Sequence, residues 1–355
     1  MSRGLYIHIP FCVRKCPYCD FFSVTDLSMT EAYTNAVVRN IKAAGGRFDT
    51  VYFGGGTPSL LTAEQFSRIL SAADICKDAE ITTEANPNSV TPEYLRELKA
   101  VGINRVSFGV QSFNDNELRS LERLHTADEA ASAIKAANDA GFDNISADLM
   151  LAVSGQTRQS LRDNLKTITE LPLTHISAYM LKVEEGTPLS LDTKALENIP
   201  DDDETTDMYL ETVDFLNSHG FEQYEISNFA KDGFECRHNL KYWRCEEYLG
   251  IGSSAHSFTD GERYFCPPDI KDFISAETQE KIVTGSGGDR EEHAMLVLRL
   301  TKEGLSLAEY PEAEKPSEAL IRGGFLKKEN GFLKLTPQGC TVSNEIIVRL
   351  TENIF

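Results

Sequence analysis

The stretch Leu5-Tyr6-Ile7-His8-Ile9-Pro10-Phe11-Cys12-Val13-Arg14-Lys15-Cys16-Pro17-Tyr18-Cys19 runs from an apolar strand candidate into a Cys-x3-Cys-x2-Cys loop. Three thiolates at such close spacing can hold three irons of a 4Fe–4S cluster. The fourth iron then has no protein ligand and can take a small molecule. Arg14 and Lys15 offset the negative charge of the thiolates and cluster. Zinc is the rival reading. A structural zinc takes four ligands, and Cys236-Arg237-His238 is a source for the missing one.

Outward from this strand, short β-branched and aromatic runs alternate with helical stretches. Leu5–Ile9, Thr50–Phe53, Glu80–Ala85, Arg105–Phe108, Ile145–Leu149 and His175–Leu181 are the expected strands. Ser28 with Glu31, Thr62 with Gln65 and Thr126 with Glu129 have capping-box spacing, and Thr91-Pro92 opens a further helix. Gly102, Gly141 and Gly220 are placed to end helices. Strands and helices in alternation imply a parallel sheet with right-handed crossovers. Six such units are too few for a closed eight-stranded barrel. They predict an α/β fold, an open (β/α)6 partial barrel, with a flat doubly wound sheet as the alternative. In either case ligands gather at the C-terminal strand ends.

Beyond about residue 185 the pattern changes. Asp201-Asp202-Asp203-Glu204 starts a helix that runs to about His219, followed by a strand at Phe221–Ile226. Gly285–Gly288 reads as a linker. Arg290–Leu300 is helical, and Asn330-Gly331 between apolar runs signals a hairpin. The expected divisions are a core at 1–235, a segment at 236–288, and a small winged-helix-like domain at 289–355. That last shape carries no inference of DNA binding.

Composition narrows the partners. Lys plus Arg is 35 against 55 for Asp plus Glu, a net charge of −20, and no basic stripe breaks the acidity. Such a surface repels phosphate, so nucleic acid is not an expected partner. No apolar run approaches a membrane span, and no signal peptide is expected at the start. Eight cysteines in 355 residues suit reduced thiols in a cytoplasm rather than a disulfide scaffold. Cys76, Cys266 and Cys340 stand alone and read as plain thiols.

Tyr6-Ile7-His8-Ile9-Pro10-Phe11-Cys12, with the two cysteines that follow, resembles the radical S-adenosylmethionine (SAM) superfamily. The resemblance extends from Tyr6 to about Leu350. It is specific for the branch that contains oxygen-independent coproporphyrinogen III dehydrogenase and the HemW-type haem chaperones. It implies that Cys12, Cys16 and Cys19 hold a 4Fe–4S cluster. It also implies that Gly55, Gly56 and Thr57, in Gly54-Gly55-Gly56-Thr57-Pro58, contact the amino group of SAM. Further polar residues fall at successive strand ends, where the resemblance matches each one. Glu84 suits the amine, Gln111 and Asp148 the ribose hydroxyls, and Arg123 the carboxylate, which a guanidinium can bind bidentately. Tyr6 and Tyr18 match positions near the cluster and SAM. The implied chemistry is reductive cleavage of SAM, which requires an electron donor.

Two features divide the branch. The coproporphyrinogen enzymes carry a fourth cysteine where this chain has Phe21, and a longer extension before the first strand. Both departures favour the haem chaperones, which pass haem to acceptor haem proteins. His238-Asn239-Leu240-Lys241-Tyr242-Trp243 resembles their proposed haem-binding motif, with His238 as axial ligand and Tyr242 and Trp243 against the porphyrin. Cys236, Cys245 and His256 are rival ligands. One departure from the branch is Ala152-Val153-Ser154 before Gly155-Gln156-Thr157, where related chains usually read Gly-Leu-Pro. The loop near Asp148 is therefore expected to differ.

Overall fold

The computed structural model describes residues 2–352 and 354. The first and last positions of the expected divisions, 1 and 355, lie outside the described residues. Six strands build the frame: β1 (Arg3–Ile9), β2 (Arg47–Gly55), β3 (Asp74–Ala85), β4 (Arg105–Gln111), β5 (Asn144–Leu151) and β6 (His175–Met180). They lie side by side in chain order, each parallel to the next. A doubly wound sheet reverses its order at a switch point. Here the chain winds one way only, which is the expected partial barrel.

Side chains alternate across the strands. Leu5, Ile7 and Ile9 are fully buried with Tyr33, Val37 and Ile41 of helix Thr30–Ala44. Tyr6 and His8 alternate with them and meet through Tyr6 Oη and His8 Nδ1, 3.1 Å apart. The lumen is therefore lined with polar groups while the outer face carries the core, the layering expected of a barrel wrapped in helices.

Both edges of the six-stranded frame are extended. β7 (Glu222–Gln223) and β8 (Asn228–Ala230) add antiparallel strands beyond β6. On the other side β9 (Tyr248–Ile251) pairs parallel with β1, and β10 (His256–Thr259), β11 (Glu262–Phe265) and β12 (Ile282–Ser286) continue antiparallel. The result is one twelve-stranded sheet. A separate sheet holds β13 (Leu305–Ser306), β14 (Leu326–Glu329) and β15 (Phe332–Leu335), with β15 in the middle. Asn330 and Gly331 turn the last hairpin with φ of 50° and 84°, the left-handed pair that a two-residue turn needs.

Local signals hold at Thr62 and Thr126, which form complete capping boxes, and at Thr91, whose side chain caps the helix that Pro92 begins. Gly102, Gly141 and Gly220 all take positive φ. Three expectations are corrected. Ser28 does not cap Glu31's helix. The Asp26 carboxylate, a stronger acceptor, takes both the N–H and the hydroxyl of Ser28 and starts a 3-10 turn. The helix then begins at Thr30 without a side-chain cap. The strand expected at Phe221–Ile226 shortens to Glu222–Gln223, because the Tyr224 N–H turns to the carbonyl of Asn228 and closes a tight hairpin. Gly285–Gly288 is only partly a linker. Ile282–Ser286 forms edge strand β12, where Gly285 pairs through its backbone with Arg263.

Candidate cofactor site

The C-terminal ends of β1–β6 surround a cavity of about 410 Å³. Cys12, Cys16, Tyr18, Cys19, Gly55, Gly56, Thr57, Glu84, Gln111, Arg123 and Asp148 all line it. Residues more than a hundred positions apart in sequence are thus brought to one rim. Tyr6 does not line the cavity. It lies beneath, with its ring 6.3 Å from that of Tyr52 and 6.4 Å from that of His238.

Backbone bonds set the cysteine loop on the barrel. The Val24 N–H donates to Pro10 O at 2.7 Å and the Cys12 N–H to Val24 O at 2.9 Å. The glycine block docks against the same strand end, with Gly56 N–H donating to Ile9 O and Thr57 N–H to Phe11 O. A Cβ at Gly56 would lie 2.7–2.9 Å from the Phe11 and Ile9 backbone, so only glycine fits. Gly55 has φ of +105°, and a Cβ there would meet the His8 ring at 2.5 Å. Close approach of β2 to β1 therefore demands these glycines before any ligand is considered.

The charged groups are held in a small polar network. Arg123 Nη2 donates to Gly109 O at 2.8 Å and to Asn86 Oδ1, and Nη1 donates to Cys16 Sγ at 3.4 Å. Its buried Nε has no partner. Tyr52 donates to Glu84 Oε1 at 2.9 Å. Burial and the neighbouring Asp148 nevertheless push the Glu84 carboxyl up to about 7. Burial pushes Asp148 up to about 6, against hydrogen bonds from Ser177 and Ser107 and the charges of Arg105 and Arg123. Two carboxylates with raised pKa values and one buried cation facing a single cavity suit a zwitterion. Gln111 reaches the rim through a left-handed backbone, φ of 71°.

The donor set also tests the cluster. Three free thiols line one side of the cavity, and side-chain hydrogen-bond donors point at two of them, Cys12 and Cys16. This fits the body of a cluster held by three thiolates. Among the described residues no three His, Cys, Asp or Glu side chains gather around a single-ion position. Cys236 and His238 do not complete a zinc site with the loop, because they close the other end of the barrel.

At that foot the helix Arg237–Trp243 points its N-terminus at Glu80. Glu80 accepts the N–H groups of Arg237 and His238 at 3.2 and 3.1 Å, a carboxylate meeting the positive end of a helix. His238 has no exposed surface. Its Nδ1 lies 2.8 Å from Thr50 Oγ1, its Nε2 lies 2.8 Å from Tyr242 Oη, and its ring stacks 5.3 Å from Tyr52. Burial pushes its pKa down to about 3, so the ring is neutral. As placed, neither nitrogen offers a free lone pair to a ligand. Trp243 packs beneath the Arg299 guanidinium at 4.6 Å. Cys236 is buried against Glu80, and Cys245 touches Glu292 and Arg263. His256 is exposed, at the start of β10.

The Ala152-Val153-Ser154 loop is pinned beside the cavity. Gln156 Oε1 accepts the Ala152 N–H at 2.7 Å, and Ser154 Oγ donates to Ala195 O at 2.9 Å. Ala152 has φ of 58°, a left-handed backbone that favours glycine. Ala152→Gly is expected to stabilise the fold by about 1 kcal/mol by releasing the left-handed strain. A urea midpoint equal to or below that of the parent would contradict this.

Asn86, Tyr179 and Met150 also line the cavity and escaped the motif reading. The signal existed. Met150 is two residues beyond Asp148 on the same face of β5, and Asn86 directly follows the end of β3, two residues beyond Glu84. Tyr179 is the penultimate residue of β6, at the strand end where ligands gather.

Residues 6–168 match the family model of the radical SAM superfamily. A heme chaperone HemW of Lactococcus lactis subsp. lactis is 32 % identical, over 97 % of this chain and 96 % of that protein. A heme chaperone HemW of Bacillus subtilis is 34 % identical, over 97 % and 98 % of the two chains. The chain belongs to the HemW family. A HemW of Haemophilus influenzae is 40 % identical over 73 % of this chain and 72 % of its own. Among solved structures, coproporphyrinogen III oxidase (HemN) from Escherichia coli superposes with a TM-score of 0.82 at 21 % identity. That match covers 99 % of this chain and 90 % of the other. It establishes a common fold for HemN and this HemW-family chain, and the partial barrel read from sequence is that fold.

Proposed function

We propose that this chain is a haem chaperone that holds a 4Fe–4S cluster on Cys12, Cys16 and Cys19 and binds SAM in the cavity beside it. When bound, cluster and SAM supply one-electron reductive chemistry, with the electron from an external donor. The chain's own part is placement. Arg123 faces the carboxylate of SAM, Glu84 its amine, and Gln111 and Asp148 its ribose. Gly55, Gly56 and Thr57 close one wall, and Tyr18 packs beside the cysteines. Haem is the cargo, passed to acceptor haem proteins of the cytoplasm. No helix among the described residues is long and apolar enough to cross a membrane. The cofactor work falls to 1–235, the foot and sheet extension to 236–288, and the winged-helix-like unit to 289–355.

The observation that carries this reading is the cavity itself, with three cysteines and a zwitterion-binding set on one rim of a chain in the HemW family. Exposed apolar groups stand at its mouth and beside it: Phe21 at 64 % and Tyr179 line the cavity, and Val13 at 60 % and Leu124 line an adjoining pocket that shares Arg14, Cys16 and Arg123 with it. Such a patch suits a planar tetrapyrrole. With His238 sealed at the foot, the mouth is the accessible place for haem, and binding through the His238 block requires the helix Arg237–Trp243 to open.

Two measurements test the reading together. Reconstituted protein with dithionite, SAM and coproporphyrinogen III is expected to release 5′-deoxyadenosine without decarboxylating the porphyrin. Haem titration of the same protein is expected to give a saturable Soret band that weakens in Phe21→Asp. A decarboxylated product would replace the chaperone reading with the enzyme. Absence of any saturable haem binding would sink the chaperone reading outright.

A further inference from the structure

Asn86 stands between Thr57 and Arg123, each of which donates to a cysteine of the loop. Its Nδ2 donates to Thr57 Oγ1 at 3.1 Å, and its Oδ1 accepts from Arg123 Nη2. Thr57 Oγ1 donates onward to Cys12 Sγ at 3.5 Å, and Arg123 Nη1 to Cys16 Sγ at 3.4 Å. A carboxamide can donate from one atom and accept at the other, which a carboxylate or hydroxymethyl group of this reach cannot do in the same geometry. By donating to the Thr57 oxygen, Asn86 leaves that hydroxyl's single proton for sulfur. By holding one Nη of Arg123, it aims the other at Cys16. Asn86 is itself fixed, since its carbonyl accepts both the N–H of Ser89 at 2.9 Å and the Ser89 hydroxyl at 2.7 Å.

We propose that Asn86 is a positioning residue that sets the reduction potential of the cluster by directing Thr57 and Arg123 at Cys12 and Cys16. This rests on the reading that those cysteines hold the cluster. Reduction adds one electron and makes or breaks no bond. The added negative charge spreads onto the thiolate sulfurs, where hydrogen bonds stabilise it and raise the potential. Loss of the donors therefore makes the cluster harder to reduce.

The test is a dithionite titration of reconstituted protein without SAM, followed by electron paramagnetic resonance. Asn86→Ala is expected to lower the ratio of reduced to oxidised cluster about tenfold at a fixed potential, a midpoint about 59 mV more negative. Asn86→Asp is expected to shift the same way, because the Thr57 hydroxyl then turns to the carboxylate instead of Cys12. Thr57→Val removes the Cys12 arm alone and is expected to shift less than Asn86→Ala. Unchanged midpoints at full iron and sulfide content overturn the proposal while leaving the cluster reading intact. If Asn86→Ala takes up no cluster, the other two variants decide, and wild-type midpoints in both overturn it. A parent protein that takes up no cluster overturns the cluster reading and this role with it.

Discussion

His238→Ala is expected to cost the fold about 3 kcal/mol, as a buried ring is removed and two hydrogen-bonded partners lose their contact. The imidazole has no exposed surface, stacks on Tyr52, and joins Thr50 on β2 to Tyr242 on the foot helix. Alanine leaves a cavity between strand and helix, with two hydroxyls facing it. Tyr242→Phe removes only one hydrogen bond and is expected to cost about 1 kcal/mol. Urea unfolding of the three proteins at one pH gives the comparison. A His238→Ala value below that of Tyr242→Phe would show that the helix is not anchored through this ring. The same burial fixes the acid response. The folded pKa is about 3 against an ordinary value of 6.5, so the unfolded chain binds the proton first. This contribution to stability is present above about pH 6.5 and is lost as the pH falls towards 3. A drop in haem binding by His238→Ala is therefore evidence about the haem ligand only at temperatures where the variant remains folded.

The frame was legible because its signals are local. A parallel strand declares itself by a short apolar run, and the sequential strand order follows from alternating helices. The residues at the strand ends then share one rim by topology alone, which is why Glu84, Gln111 and Asp148 meet although no local pattern links them. The foot was not legible for the opposite reason. Glu80 begins as an ordinary residue in a strand, and nothing near it marks the N-terminus of a helix that arrives 156 positions later at Cys236. A His beside aromatic residues looks the same in sequence whether it faces a ligand or seals a barrel. Gly285–Gly288 reads as a linker because glycine and serine have little strand propensity, yet Gly285 and Ser286 end β12. Its pairing with β11 comes from a neighbouring edge that the segment itself does not reveal. Asn86 carries no signal of its own in the sequence, since its role depends on two partners, one from the loop after β2 and one from the turn after a short helix.

SAM affinity is expected to fall about fifteenfold between pH 7.5 and pH 6, if both cavity carboxylates must be ionised to receive it. Glu84 near 7 and Asp148 near 6 are both raised, so at pH 6 the first is mostly protonated and the second half so. Each carboxyl must give up its proton before it can accept hydrogen bonds from an amine or ribose as an anion. Binding is thus coupled to proton release, and heats measured in buffers of different ionisation enthalpy should differ accordingly. Without ligand the two groups act on the fold in the direction opposite to His238. Their contribution to stability is full below the unfolded carboxyl range and is lost as the pH rises through 6 and 7. SAM should therefore raise the melting temperature more at pH 7.5 than at pH 6. Glu84→Gln is expected to bind more weakly and to reduce the pH effect to the roughly twofold share of Asp148. Equal dissociation constants at the two pH values in the parent protein would remove Glu84 as the partner of the SAM amine. The cavity would then recognise SAM through groups whose charge does not change in this pH range, Arg123 among them.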